Sequence, residues 1–245
     1  MHNAALAELG MAGDWSYEAI DVAPDAFEAR VRAMADEGFA GANVTVPHKG
    51  AALALADDLS ETAREIGAAN TLVFANDEVR ADNTDAGGFL AALPSPPRGK
   101  RALVLGAGGA ARAVVWGLLR EGAEVSVWNR TELRSRHLCE ELGGEPAMEP
   151  EGAAYELIVN STAVGLAGED PFAELPLARD AFVSDQVVVD MVYGARPSEL
   201  LVAARAEGAA VVDGIEILVR QGALSFEIWT GRQAPLDTMR SAARL

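Results

Sequence analysis

Ala102-Leu103-Val104-Leu105-Gly106-Ala107-Gly108-Gly109-Ala110-Ala111 runs from a short apolar strand straight into a glycine-rich turn. Gly106 permits the tight turn, Gly108 lets a backbone come close to a pyrophosphate, and Ala111 keeps the following helix against the strand. The helix expected over 108–120 presents unpaired N–H groups and the positive end of its dipole to anionic phosphates. A glycine cluster by itself equally suits an ordinary strand-to-helix turn. Its setting, with a strand before and a helix after, favours a phosphate-binding turn of Gly-x-Gly-x-x-Ala form, with Gly106, Ala107, Gly108, Gly109 and Ala110 around the phosphates.

Outward from this turn, apolar strands and helices alternate. Strands are expected at 101–105, 124–128, 157–160, 187–190 and 210–212, and helices at 108–120, 132–142 and 198–207. That alternation is the pattern of a parallel, doubly wound sheet, here a Rossmann-like nucleotide-binding domain over 88–213. Its second strand ends in Trp128-Asn129-Arg130-Thr131, with no acidic residue. A carboxylate at that place suits the ribose hydroxyls of NAD and repels a 2′-phosphate. Arg130 would pair with a 2′-phosphate, and Asn129 and Thr131 would add neutral hydrogen bonds, so NADP is favoured. A solvated arginine closing a strand is the plainer alternative.

Upstream the pattern is mixed α/β. Helices are expected at 3–9, at 51–59 and 63–66, at 86–93, and from Pro24 to Gly38 with Phe27, Val31 and Met34 at helical spacing. Strands are expected at 15–22, 42–46, 70–74 and 78–81, the last two joined through Ala75-Asn76-Asp77. Pro94-Ser95-Pro96-Pro97-Arg98-Gly99 has linker composition. After the alternating region, one long helix is expected over 215–229 and a frayed end from Ser241.

Composition narrows the partners. The 245 residues carry 37 acidic against 20 basic side chains, a net charge of −17, which repels nucleic acid and anionic membranes. Acidic excess with only two lysines also suits a salt-rich cytoplasm, although a bias of Arg over Lys in coding accounts for half of that pattern. The single cysteine, Cys139, has no partner for a disulfide, and His2, His48 and His137 lack ligand spacing, so no metal is expected. No charged-then-apolar leader pattern stands at the start, and a cytoplasmic location is expected.

One of the two lysines, Lys49, closes the stretch Asn43-Val44-Thr45-Val46-Pro47-His48-Lys49. Unlike arginine, a lysine shifts its pKa on burial and can move a proton. Asp82-Asn83-Thr84-Asp85-Ala86-Gly87-Gly88 offers a carboxylate that would complete an acid–base pair delivering a proton to a developing alkoxide. A solvated lysine and a helix N-cap at Thr84 or Asp85 are the structural alternatives.

Seven stretches together resemble the shikimate dehydrogenase family: residues 43–49, Gly67-Ala68-Ala69-Asn70-Thr71-Leu72, Asp82-Asn83-Thr84-Asp85, the Gly106 turn, Asn129-Arg130-Thr131, Asn160-Ser161-Thr162 and Asp213-Gly214-Ile215, with Gln221 in the last helix. Their order spans nearly the whole chain. The resemblance implies NADPH-dependent, reversible reduction of 3-dehydroshikimate to shikimate, within aromatic amino-acid biosynthesis. It implies that Lys49 and Asp85 are the catalytic pair, that Asn70 and Gln221 bind substrate hydroxyls with Thr45 nearby in the substrate site, and that Tyr193 lies near the substrate. Ser161, Thr162, Met191 and Gly214 would line the nicotinamide pocket. The final helix would return to the first domain, giving a discontinuous substrate domain of 1–87 and 214–245.

The start departs from the family. Members usually open with a strand and a Ser-x-Ser-Pro loop that binds the substrate carboxylate, and Met1 falls after both. The expectation is a start lying upstream. A quinate/shikimate dehydrogenase and a truncated, catalytically silent NADP-binding module are the other readings. An exposed edge of the first domain could pair two copies as a homodimer.

Overall fold

Leu157–Asn160 and Val187–Asp190 are buried at every position, so both faces of these strands must be covered. The computed structural model, which describes residues 1–194 and 196–244, shows how. In chain order the elements are α1 (His2–Glu8), α2 (Phe27–Asp36), β1 (Gly41–Asn43), α3 (Lys49–Leu55), β2 (Asp58–Leu59), α4 (Glu61–Ile66), β3 (Thr71–Ala75), β4 (Glu78–Asp82) and α5 (Asp85–Ala92). There follow β5 (Arg101–Leu105), α6 (Gly109–Arg120), β6 (Glu124–Trp128), α7 (Glu132–Leu142), β7 (Glu145–Pro146), β8 (Leu157–Asn160), α8 (Pro171–Glu174) and β9 (Val187–Asp190). The chain closes with α9 (Glu199–Ala206), β10 (Ala210–Val212), α10 (Gly214–Thr230) and α11 (Leu236–Ala243). Two units emerge, Met1–Gly88 with Val219–Leu245, and Phe89–Leu218.

The second unit is a six-stranded sheet in the order β10-β9-β8-β5-β6-β7, parallel throughout. Alternation along its strands divides two cores. Ala102, Val104, Val125, Val127, Val159 and Val189 join α6 and α7 on one face. Leu103, Leu105, Ile158 and Val188 join α9 on the other. Each fully buried Val or Leu contributes about 1.5–3 kcal/mol relative to exposure. From β5 the chain winds out through β6 and β7, then returns to build β8, β9 and β10 on the opposite side. The switch point therefore lies between β5 and β8, where doubly wound sheets open a crevice at the strands' carboxyl ends.

Residues 94–99, expected as a linker, are instead folded into this unit. Gly99 N–H donates to the Gly122 carbonyl at 2.8 Å and Lys100 N–H to that of Pro97 at 3.0 Å. Their proline content serves a turn against the α6–β6 connection.

The first unit holds a four-stranded sheet, β1-β3-β4-β2. β3 and β4 form a tight hairpin whose turn residues Asn76 and Asp77 have φ of 53° and 63°, as a primed turn requires. Phe27, Val31, Ala52, Leu72 and Ala81 pack beneath it. The helix expected over 51–59 divides in two: α3 stops at Leu55, and Asp58–Leu59 leaves to pair with β4. β1 is also shorter than expected and ends before the cis Val46–Pro47 peptide.

Segment 15–22 is not a strand. Its alternation finds no ladder among the described residues, and Asn3 takes its place as partner: Asn3 Nδ2 donates to the Tyr17 carbonyl at 2.8 Å, and Tyr17 N–H donates back to Asn3 Oδ1 at 2.7 Å. Cavities of about 430 and 190 Å³ lie between this segment and β1, both lined by Tyr17 and Gly41. The tail differs too, since residues 241–243 belong to α11, where Ser241 Oγ donates to the Asp237 carbonyl; Leu245 lies outside the described residues. Among the described residues no helix is long and apolar enough to cross a membrane.

Candidate active site

Two polar clusters stand out, one in each unit. In the first, the turn at Pro47 is closed by His48 N–H donating to the Thr45 carbonyl at 2.9 Å, and α3 begins at once with Lys49. Asp85 begins α5, its N–H held by Asn83 Oδ1 at 3.0 Å. Lys49 Nζ donates to Asp85 Oδ2 at 2.6 Å, with only 13% and 8% of the two side chains exposed. Removing one member of such a sheltered pair leaves the other charge uncompensated, which costs about 3–5 kcal/mol when burial is complete.

Asn70 is the hub behind the pair. Its Nδ2 reaches Asp85 Oδ1 at 2.8 Å, Thr84 Oγ1 at 3.0 Å and Gln221 Oε1 at 3.2 Å. Its Oδ1 accepts from Thr84 N–H at 2.8 Å and from Thr71 Oγ1 at 3.0 Å. Buried polar atoms fully partnered in this way hold one another in a single arrangement. Gln221 is brought in because α5 and α10 touch at a glycine: a Cβ on Gly88 would lie 2.6–2.8 Å from Gln221 N, Cα and Cβ.

The structure thus gathers Lys49, Asp85, Asn70 and Gln221. Thr45 is exposed, and it lines the smaller cavity with His48. His48 is structural, with its ring stacked on Phe27 and Nε2 against the Val22 carbonyl at 2.9 Å. Ser225 escaped sequence reasoning. One turn beyond Gln221 on α10, its Oγ sits 2.9 Å from Thr71 Oγ1, 3.1 Å from Thr84 Oγ1 and 2.8 Å from Asn43 Nδ2, its donor. The i, i+4 spacing of Gln221 and Ser225 on a mostly apolar helix was the available signal.

In the second unit the glycine turn lies at the sheet's switch point. Gly106 has φ +112°, and a Cβ there would also meet Ser161 Oγ at 2.9 Å, so no other residue fits. Around Gly108, the N-cap of α6, a Cβ would meet nothing within 4 Å, which leaves its backbone approachable by a ligand. Ala107 packs against the core, while Gly109 and Ala110 form the first turn of α6, a twelve-residue helix whose positive dipole end suits an anion. Ser161 Oγ donates to the Leu105 carbonyl at 2.7 Å, and Thr162 Oγ1 to Asn160 Oδ1 at 2.7 Å.

At the end of β6, Arg130 is 81% exposed and pairs with Glu174 at 3.2 Å. Asn129 Nδ2 donates to the Thr131 carbonyl at 2.9 Å, and Thr131 precedes α7. Beyond β9, Met191 packs partly against the core and Tyr193 is exposed. Gly214 is a close-approach position: a Cβ there would lie 2.6 and 2.7 Å from the carbonyl oxygens of Met191 and Val192. Burial pushes the Asp190 carboxyl above its ordinary pKa, against the bonds it receives from Ser198, Val192 and Asn160. Among the described residues no group of three acidic, cysteine or histidine side chains could hold a metal ion.

A glycine turn at the switch point of a doubly wound sheet, in a chain that also carries a sheltered lysine–carboxylate pair, defines a dinucleotide-dependent oxidoreductase. Comparison with known proteins gives the family. Residues 1–72 match the shikimate dehydrogenase substrate binding domain, 93–164 match shikimate / quinate 5-dehydrogenase, and 214–244 match the shikimate 5′-dehydrogenase C-terminal domain. The shikimate dehydrogenase (NADP(+)) of Methanopyrus kandleri is 42% identical over 99% of this chain and 88% of its own length. That of Anaeromyxobacter sp. strain K is 44% identical over 99% and 89%. The crystal structure of Thermus thermophilus shikimate 5-dehydrogenase in complex with NADP(H) and shikimate superposes with a TM-score of 0.89 at 41% identity, covering 99% of this chain and 92% of that one. The chain belongs to the shikimate dehydrogenase family.

Proposed function

We propose that this protein catalyses the reversible, NADP-dependent reduction of 3-dehydroshikimate to shikimate, with Lys49 and Asp85 as its acid–base pair. The observation that carries this is the 2.6 Å contact between Lys49 Nζ and Asp85 Oδ2, backed by Asn70 and Gln221. When bound, NADPH supplies the hydride. As the ketone oxygen becomes an alkoxide, the Lys49 ammonium stabilises the new charge and gives up a proton to it. Asp85 holds Lys49 in place and shares the proton relay. In the reverse direction Lys49 takes the proton from the substrate hydroxyl. Asn70 and Gln221, already aligned with Asp85, are suited to fix ring hydroxyls, with Thr45 and Tyr193 as further contacts. The family relatives named for this reaction support the reading.

For the cofactor, the turn over Gly106–Ala110 with the α6 N-terminus fits the pyrophosphate. Arg130, flanked by Asn129 and Thr131, fits a 2′-phosphate. Ser161, Thr162, Met191 and Gly214 fit around the nicotinamide. Residues 1–87 with 214–245 would then serve the substrate and 88–213 the nucleotide. A quinate/shikimate dehydrogenase is the second reading, favoured by the family description matched at 93–164, which covers both substrates. Oxidation of shikimate and of quinate by the purified chain, each with NADP, separates the two.

A further inference from the structure

β8 and β9 each end on a polar side chain turned into the protein. Leu157-Ile158-Val159 and Val187-Val188-Val189 are apolar, and the next residues, Asn160 and Asp190, are fully buried and 1% exposed. They are register partners in the adjacent strands, and Asn160 Nδ2 donates to Asp190 Oδ1 at 2.9 Å. Burying an amide and a carboxyl at the ends of otherwise apolar strands costs free energy unless the groups are hydrogen-bonded.

Each is wired forward into the loop after its own strand. Asn160 Oδ1 accepts from Thr162 N–H at 3.1 Å and from Thr162 Oγ1 at 2.7 Å, and Thr162 Oγ1 accepts from Val164 N–H at 3.1 Å. Asp190 Oδ1 accepts from Val192 N–H at 3.0 Å, and Oδ2 from Ser198 Oγ at 2.5 Å. Ser198 Oγ in turn caps α9 through Leu201 N–H. The two loops are stitched together by Met191 N–H on the Asn160 carbonyl at 2.9 Å. Between Thr162 and this pair sits Ser161, whose Oγ packs against Gly106 of the glycine turn.

We propose that Asn160 and Asp190 are positioning residues for the cofactor site. From inside the sheet, the pair sets the loops at 161–164 and 191–193, which wall the crevice beside the glycine turn at the switch point. The inference rests on the NADP reading above. Neither side chain needs to touch the cofactor. A carboxylate serves here because three donors converge on it; a displacement of about 1 Å in such a supporting group can cost up to about a hundredfold in function.

The test is NADPH binding, followed by fluorescence, together with separate KM values for NADP and shikimate. Asp190→Ala should raise the NADPH Kd and the NADP KM by about tenfold or more while the shikimate KM stays within about twofold. Asn160→Asp, which sets two carboxylates face to face, should do the same. The reciprocal double variant, Asn160→Asp with Asp190→Asn, restores a donor against an acceptor between the strands but takes an acceptor from Val192 N–H, so it should bind NADPH better than either single variant yet short of wild type. Ser198→Ala, which removes a single donor, keeps the question open to measurement should Asp190→Ala not fold; it should raise the NADPH Kd by about threefold. A fall in melting temperature with NADPH binding unchanged, or a double variant no better than the singles, would overturn the inference. Wild-type protein that does not bind NADPH would overturn the NADP reading itself, and this inference with it.

Discussion

Lys49 Nζ and Asp85 Oδ2 stand 2.6 Å apart although 36 positions separate them in the chain. Each is the first residue of a helix, and Asn70, just before β3, donates to Asp85 Oδ1. Lys49→Met should lower kcat by about 10²–10⁴ with a much smaller change in KM, as loss of a general acid does. Asp85→Asn should act in the same direction. In the proposed mechanism the two work as a unit, so the double variant should be scarcely slower than the worse single. Steady-state rates for the three variants check this; multiplicative effects would contradict it.

Gly88 lets α5 and α10 approach closely enough for Gln221 to reach Asn70. In Gly88→Ala the new methyl meets Gln221 backbone, not a flexible side-chain end. Overpacking of this kind costs about 1–3 kcal/mol. Denaturant unfolding should show that loss, and the displaced Gln221 should raise the substrate KM. A neutral Gly88→Ala would mean that the two helices part without consequence.

In the proposed reading, Arg130 carries the preference for a 2′-phosphate. A charge-assisted hydrogen bond is worth about 1.5–3 kcal/mol, so Arg130→Gln should raise the NADP KM by about 10- to 100-fold and leave that for NAD nearly unchanged. Glu174, its partner at 3.2 Å, would compete with a phosphate bound there. Exposed pairs are worth only about 0.2–1 kcal/mol, so Glu174→Gln should tighten NADP by no more than about fivefold. Equal losses with both nucleotides in Arg130→Gln would remove the arginine from this role.

His2 is buried, stacked on Tyr17 with ring centroids 4.2 Å apart, and Nε2 lies 3.2 Å from the Gly222 carbonyl. Burial lowers its pKa from 6.5 to about 4, outweighing the Gly222 bond. Between those values the unfolded chain binds a proton that the folded protein refuses. Stability from this group is therefore full above about pH 6.5 and is lost as pH falls toward 4, by about 3 kcal/mol in all. His2→Gln should unfold with a flatter pH dependence over that window. Parallel curves for the two proteins would contradict the assignment.

Much of this was legible in the sequence where neighbours along the chain decide the outcome. The glycine turn, the strands of the doubly wound sheet and the hairpin at Asn76-Asp77 follow from periodicity and positive-φ residues. Segment 15–22 has the alternation of a strand, yet a strand needs a ladder, and Asn3 satisfies Tyr17 instead. Pro94–Gly99 has the composition of a linker, but its backbone groups found partners at Gly122 and Lys100. At the site, Lys49 and Asp85 could be singled out as chemical oddities. Ser225 could not, since a serine on a long helix acquires meaning only when Thr71, Thr84 and Asn43 close around it.

The most direct measurement is NADP reduction by the purified chain supplied with shikimate, at low and high salt, with quinate and NAD as parallel controls. Turnover with shikimate and NADP is expected, lost in Lys49→Met while NADPH still binds. With a net charge of −17, activity should also rise with salt as self-repulsion is screened. A wild-type chain that binds NADPH yet reduces no NADP with either acid would contradict the account and leave a silent nucleotide-binding protein.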